Sequence, residues 1–395
     1  MYAGDPYHLN ATGLVGDGNP GYWMARWHVA KLREAAIAFG AAFGAGSVGK
    51  DRRVRPVYAW QCGDWQDTVG LPYLLQVYGE PSAVFHSIAC APYMTIGEAA
   101  SSSTLTVDEV LAGWRSYQQN ISVAGAGGFS GVNYVASLSA AAAYWGLRCQ
   151  AYEAGPDTVQ GIDDGPPLWA KANASADPRI TPIVFDYLQA WHMLGERACV
   201  CFRHPAPAHP SQPPLPPTPS SPDMGPQNYF AFGAGPLQDR YGIYSLLQDM
   251  SKFDTPKLRA VDQARATPVA TTPLIPTIPA TLNASFFVGH PVPAQPNGFQ
   301  GWCSEACDYF VQSAVPLRVT VTLTTGSDDA AAANLTVGLG GPTRNVQTVA
   351  CPSSGNWAEY VPCAPSQPFD VPAGVSVFRV GRGRPWLGSV IIAAA

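Results

Sequence analysis

The stretch "LRCQAYEAG", residues 147–155, decides the fold: a short strand-forming run leads directly into Glu153, with the small residues Ala154 and Gly155 behind it. Before it lies "VNYVASLSAAAAYWG" (132–146), helical in period and closed by Gly146, which can take the left-handed conformation of a helix stop. A helix feeding a short, apolar strand is half of a βα repeat, and the same alternation recurs on both sides.

Upstream, residues 22–44 place Trp23, Trp27, Val29, Leu32, Ala36, Phe39 and Phe43 at helical spacing, and "RVRPVYAWQ" (53–61) follows as a buried strand. "LPYLLQVYG" (71–79) is helical, "SAVFHSIACAPYM" (82–94) is a second strand, and "TVDEVLAGWRSYQQN" (106–120) is a helix whose Thr106 and Glu109 form a capping box. Downstream come a helix in 177–195, a fourth strand in "NYFAFGAG" (228–235) and a helical "IYSLLQDM" (243–250). Four apolar strands alternating with helices predict βαβ units and a parallel sheet.

Two proline-rich stretches interrupt this pattern. Residues 203–227 are too dense in proline for helix or strand and read as an exposed, polyproline-like insertion in a domain spanning 1–262. Residues 263–282 read as a semi-rigid linker. Beyond them the period drops to two: "LRVTVTLTTG" (317–326), "NLTVGLGG" (334–341), "GVSVFRVGRG" (374–383) and "GSVIIAA" (388–394) are short strands of an all-β sandwich over 283–395. The expected fold class is therefore α/β plus all-β, a partial barrel followed by a sandwich.

Composition narrows the function classes. Apolar residues make up 47% of the 395 residues and charged ones 13%, with a net charge of −5, so no nucleic-acid partner is expected. No apolar run is long enough to span a bilayer. The spacings Cys303-x3-Cys307 and Cys351-x11-Cys363 read as disulfide candidates, not zinc ligands. With sequons at Asn10, Asn120, Asn173, Asn283 and Asn334 they predict a secreted or extracellular protein, whose signal peptide is expected upstream of Met1. Asp157, Asp163 and Asp164 lack the spacing of a calcium loop, and no metal or cofactor is expected.

In a βα-repeat sheet the residues at the C-terminal ends of the strands face one mouth, where catalysis in such folds occurs. Those ends carry Trp60 and Gln61, Tyr93, Tyr152 and Glu153, and Phe232. Carboxylate, amide and aromatic rings together suit sugars, whose ring faces stack while their hydroxyls need polar partners. Carbohydrate is the expected partner. Glu153 is the candidate nucleophile of a retaining glycosidase, a role that requires a second carboxyl about 5 to 5.5 Å away.

The ordered set "VYAWQ" (57–61), "IACAPYM" (88–94), "AYEAG" (151–155), "DYLQAW" (186–191) and "NYFAFG" (228–233) resembles the second half of a family of uncharacterised glycoside-hydrolase-like (β/α)8 barrels of the retaining clan, often joined to carbohydrate-binding domains. The resemblance implies that the four strands correspond to strands five to eight, with Glu153 in the nucleophile position. The family's Asn-Glu pair, which supplies the acid/base, has no counterpart in the chain. The expectation is thus an N-terminally truncated glycosidase, inactive alone, whose two open barrel edges invite self-association. The sandwich strands resemble those of carbohydrate-binding modules, with Trp357, Tyr360 and Trp386 as candidate stacking residues. A non-catalytic carbohydrate-binding or cell-wall glycoprotein is the competing expectation.

Overall fold

The structure is a computed structural model. It describes residues 20–50, 52–60, 66–96, 102–120, 134–156, 168–193, 224–227, 246–247, 254–267, 275–283, 286–287, 290–291, 306–328, 333–342, 344–381 and 386–395. The helices are α1 Pro20–Phe43, α2 Leu71–Tyr78, α3 Pro81–Val84, α4 Val107–Asn120, α5 Tyr134–Tyr144, α6 Leu168–Ala176, α7 Ile180–Met193 and α8 Pro256–Ala266.

In the first half the strands are β1 Val57–Ala59, β2 Ser87–Cys90, β3 Tyr93–Met94, β4 Arg148–Ala151, β5 Gly155–Pro156 and β6 Met224–Gln227. Strands β1, β2, β4 and β6 form one sheet in chain order, every pair parallel, as the βα alternation predicts. Because partners in a parallel ladder share a face, Tyr58, Ile88 and Cys149 lie together, joined by Cys90 and Ala151, and all five are buried. The opposite face carries Val57, Ala59, Ser87, Ala89, Arg148 and Gln150, of which only Ser87 and Ala89 are fully buried.

Local chemistry accounts for the element ends. Thr106 N–H donates to Glu109 Oε2 at 2.8 Å and Glu109 N–H to Thr106 Oγ1 at 3.3 Å, which is the reciprocal cap expected for α4. Gly146 stops α5 with φ of 67°. The strand expected over 82–94 is split: Pro81–Val84 makes a helical turn, and the ladder pauses at Pro92, which has no N–H to donate.

The fourth strand departs from the expectation at 228–235, which lies outside the described residues. Met224–Gln227, read as the tail of the proline insertion, pairs with β4, with an irregularity between Cys149 and Ala151. Pro226 fits there because, among the described residues, β6 is last in the sheet order and needs no donor on its second side. Of the helix expected at 243–250 only Leu246 and Leu247 are described, and neither is helical.

The second half is antiparallel. Its strands are β7 Ala280–Asn283, β8 Phe286–Phe287, β9 His290–Pro291, β10 Ala306–Ser313, β11 Leu317–Ser327, β12 Ala333–Leu339, β13 Asn345–Cys351, β14 Asn356–Pro362, β15 Phe369–Val371, β16 Gly374–Gly381 and β17 Trp386–Ala394. One sheet runs β10-β16-β12-β13 and the other β14-β11-β17-β7, with β15 on β11. Val319, Val321 and Leu323 are buried while Thr320, Thr322 and Thr324 between them are not, the period of two that the sequence shows. Cys351 and Cys363, two of the disulfide candidates, are bonded to each other, and Cys90 and Cys307 are each disulfide-bonded as well. The stretch read as linker contributes the end of α8 and most of β7, and Ile278 N–H donates to Gln312 of β10 at 2.9 Å. No described helix is long and apolar enough to cross a membrane.

The halves are packed on each other. The end of α5 meets β10 and β16, Gly341 N–H donates to the Tyr144 carbonyl at 3.0 Å, and a Cβ on Gly340 would fall 2.6 Å from Tyr144 Cα. Glycine is required there because two backbones touch.

Candidate functional site

Register brings the predicted rim residues to one end of the parallel sheet. Trp60 N–H donates to Ala89 O at 3.0 Å, continuing β1 onto β2, and Tyr152 N–H donates to Cys90 O at 3.0 Å, continuing β4 onto β2. Tyr93 then pairs with Gly155 in the short β3–β5 ladder. Trp60, Tyr93, Tyr152 and Glu153 therefore all follow the C-terminal ends of adjacent strands. Gln61 and Phe232 lie outside the described residues.

Tyr152 is 37% exposed and Glu153 partly exposed. Burial raises the Tyr152 phenol above its ordinary range, and the charge of Glu153 raises it further, so the two side chains are electrostatically coupled. The Trp60 ring is half-buried, 5.2 Å from the ring of His28 on α1. Burial lowers the His28 imidazole, favouring its neutral form. Tyr187 donates its hydroxyl to the Pro92 carbonyl and so fixes the bend before Tyr93.

The sequence reading missed the support under this rim. Gln66 is fully buried in the π-helical turn Gln66–Gly70, and its amide donates to Tyr58 O at 2.6 Å and Ala89 O at 3.1 Å, tying the turn to β1 and β2. Gly70 is needed beside it, since a Cβ there would fall 2.2 Å from the Tyr58 hydroxyl. The next residue, Asp67, accepts from Trp145 Nε1 at 2.5 Å and from Arg379 of β16 at 2.8 and 2.9 Å. A glutamine-aspartate pair in a turn carries no sequence signal of such roles.

His86 precedes β2 and is 2% exposed. Its carbonyl accepts from Arg148 N at 3.1 Å, at the end of the sheet opposite Glu153. Among the described residues no group of three or more His, Cys, Asp and Glu is placed to hold a metal ion.

On the sandwich, Tyr360 is half-buried on β14 and lies across Gly388, where a Cβ would meet its Cδ1 at 2.4 Å and Thr324 Oγ1 at 2.9 Å. Thr324 shares a 2.8 Å hydrogen bond with Ser389, so the ring borders an outward row of hydroxyls. Trp357 is half-buried on the same strand, and Trp386 pairs in register with Gly326.

No protein-family model matches the sequence, and a search of curated proteins finds no match. Among solved structures the chain is similar to a family 35 carbohydrate-binding module from Clostridium thermocellum, at 13% identity over 29% of this chain and 98% of that one, with a TM-score of 0.23. A family 35 module from Cellvibrio japonicus matches at 16% identity over 29% and 93%, with a TM-score of 0.22. A ruminal endo-β-1,4-mannanase matches at 11% identity over 31% of this chain and 27% of its own length, with a TM-score of 0.23. Another carbohydrate-binding module of that family, in complex with a disaccharide containing glucuronic acid, is covered over 66% of its length, at 18% identity over 23% of this chain and a TM-score of 0.21.

Proposed function

We propose that this protein acts on carbohydrate as a glycoside-hydrolase-like protein of the retaining type, binding a polysaccharide or glycoprotein glycan at the strand-end rim. The observation that carries this reading is the shared register of Trp60, Tyr93, Tyr152 and Glu153 at the C-terminal ends of adjacent parallel strands. An aromatic ring offers a flat apolar face to a pyranose, and a neighbouring carboxylate accepts its hydroxyls or attacks its anomeric carbon. Glu153 takes the nucleophile position. The sequence holds no Asn-Glu pair of the kind that supplies the acid/base in the family it resembles, so this chain is proposed to bind sugar without turning it over. The disulfide fits an extracellular setting, and self-association through the outer edges of β1 and β6 belongs to the same proposal.

A second reading, a non-catalytic lectin-like surface on the sandwich, draws support from Tyr360, whose ring borders the Thr324 and Ser389 hydroxyls. Calorimetric titration with a panel of soluble glycans separates the two. Loss of binding in Glu153→Gln and Tyr152→Ala, with Tyr360→Ala unaffected, is expected for the rim. The reverse pattern assigns the sandwich, and turnover of an aryl glycoside abolished by Glu153→Gln would overturn the inactivity of the chain.

A further inference from the structure

We infer that the end of the α/β half opposite Glu153 docks an acidic polysaccharide, a chain bearing carboxylates, through Arg52, Arg53 and Arg55. All three are exposed, and they sit just before β1, at the N-terminal end of the sheet. Among the described residues none of the three forms an ion pair. Among the other exposed arginines, Arg179 pairs with Asp108 and Asp177, Arg259 with Asp254 and Arg318 with Asp370, while Arg115 forms no ion pair among the described residues. Three unmatched cations within four residues, on a chain of net charge −5, are a local departure that calls for an anionic partner.

The loop that carries them is built rather than loose. Val48 and Val54 form a β-bridge, Gly49 N–H donates to Val54 O at 3.1 Å, Val54 N–H donates to Ser47 O at 2.8 Å, and Arg55 Nε donates to Arg52 O at 3.1 Å. Lys50 Nζ donates to Gly146 O at 2.6 Å and pins the loop to the end of α5. The Arg53 guanidinium stands 5.5 Å over the Phe43 ring, and Phe43 stacks on Phe39 at 6.0 Å with an interplanar angle of 10°. Both phenylalanines are about half exposed. Less rotamer freedom is then lost on binding, and planar guanidinium forks suit carboxylates bidentately while ring faces suit a pyranose.

The chemistry favours a polysaccharide over a lipid surface. A helix that lies on an anionic bilayer pairs its apolar stripe with a basic polar face, whereas the α1 run "AAIAFGAAF" (35–43) has no charge and its last turn has no basic residue. The surface is separate from the Glu153 rim, so either reading can fail alone.

Affinity electrophoresis in gels containing polygalacturonate tests it. The wild-type chain is expected to be retarded, with retardation falling as salt rises, and a fully methyl-esterified pectin gel should leave its mobility unchanged. The Arg52→Ala/Arg53→Ala/Arg55→Ala variant should bind about tenfold more weakly or not at all at an unchanged melting temperature. Single Arg53→Gln gives a graded loss, and Glu153→Gln none. Equal retardation of wild type and triple variant, no retardation of wild type, or capture by phosphatidylserine vesicles without retardation by polygalacturonate would each overturn the inference.

Discussion

The guanidinium of Arg379 grips both carboxylate oxygens of Asp67, at 2.8 and 2.9 Å, across 312 positions of sequence. The same group donates to Asp308 on β10 twice, each at 2.7 Å, and lies 3.9 Å over the Tyr144 ring. Burial pushes the Asp308 carboxyl up while Arg379 pulls it down. Arg344 repeats the theme, over Trp145 at 4.0 Å and paired with Glu80 at 2.9 Å. Sandwich and α/β sheet are thus joined by buried charge, and Asp67 belongs to the turn beneath the Trp60 rim.

Removing the central cation should be costly. Arg379→Ala strands two carboxylates in a nearly dry site, and a loss of about 3–5 kcal/mol in unfolding free energy is expected by denaturant titration. Arg379→Lys keeps the charge without the fork and should fall between the two. A loss below about 1 kcal/mol would show that the halves do not depend on this contact.

Close backbone approach at the same interface gives a steric counterpart. Gly340→Ala drives a methyl to 2.6 Å from Tyr144 Cα, where no side chain can yield. Destabilisation of about 1–3 kcal/mol is expected, read as a lower melting temperature, whereas Gly341→Ala faces no clash, only its φ of 138°.

Lys257 at the start of α8 is 1% exposed, and burial pulls its amine down to about 7 from an ordinary 10.5. The unfolded chain therefore holds a proton between about pH 7 and 10.5 that the folded chain does not, so stability rises with pH across that window and the full cost is present below it. Lys257→Met should stabilise the protein by a few kcal/mol at pH 6, and the gain should shrink by pH 10. A pH-independent difference would contradict this.

The cap on α4 offers a smaller, cleaner measurement. Thr106→Ala removes the acceptor of Glu109 N–H and should cost about 1 kcal/mol, while Thr106→Ser should cost little.

Much of this architecture was legible in the chain. Periods of 3.6 and 2 separate the two halves because amphipathic burial repeats along one chain segment, and the Thr106–Glu109 cap and the Gly146 stop are interactions within a few residues. The strand-end positions of Trp60, Tyr93, Tyr152 and Glu153 were legible too, since strand ends follow from strand boundaries. What stayed hidden is long-range. Met224–Gln227 pairs as a strand despite Pro226 because it occupies the end of a sheet whose order is a property of the fold.

Nor does anything near Asp67 or Arg379 in sequence announce that they meet. Local spacing determined which segments are helices and strands and where the strand ends lie, because those depend on neighbours three or four residues away. Only the tertiary structure decided that a sandwich arginine braces the turn next to Trp60, since the energy of a buried ion pair exists only once packing has removed the water around it.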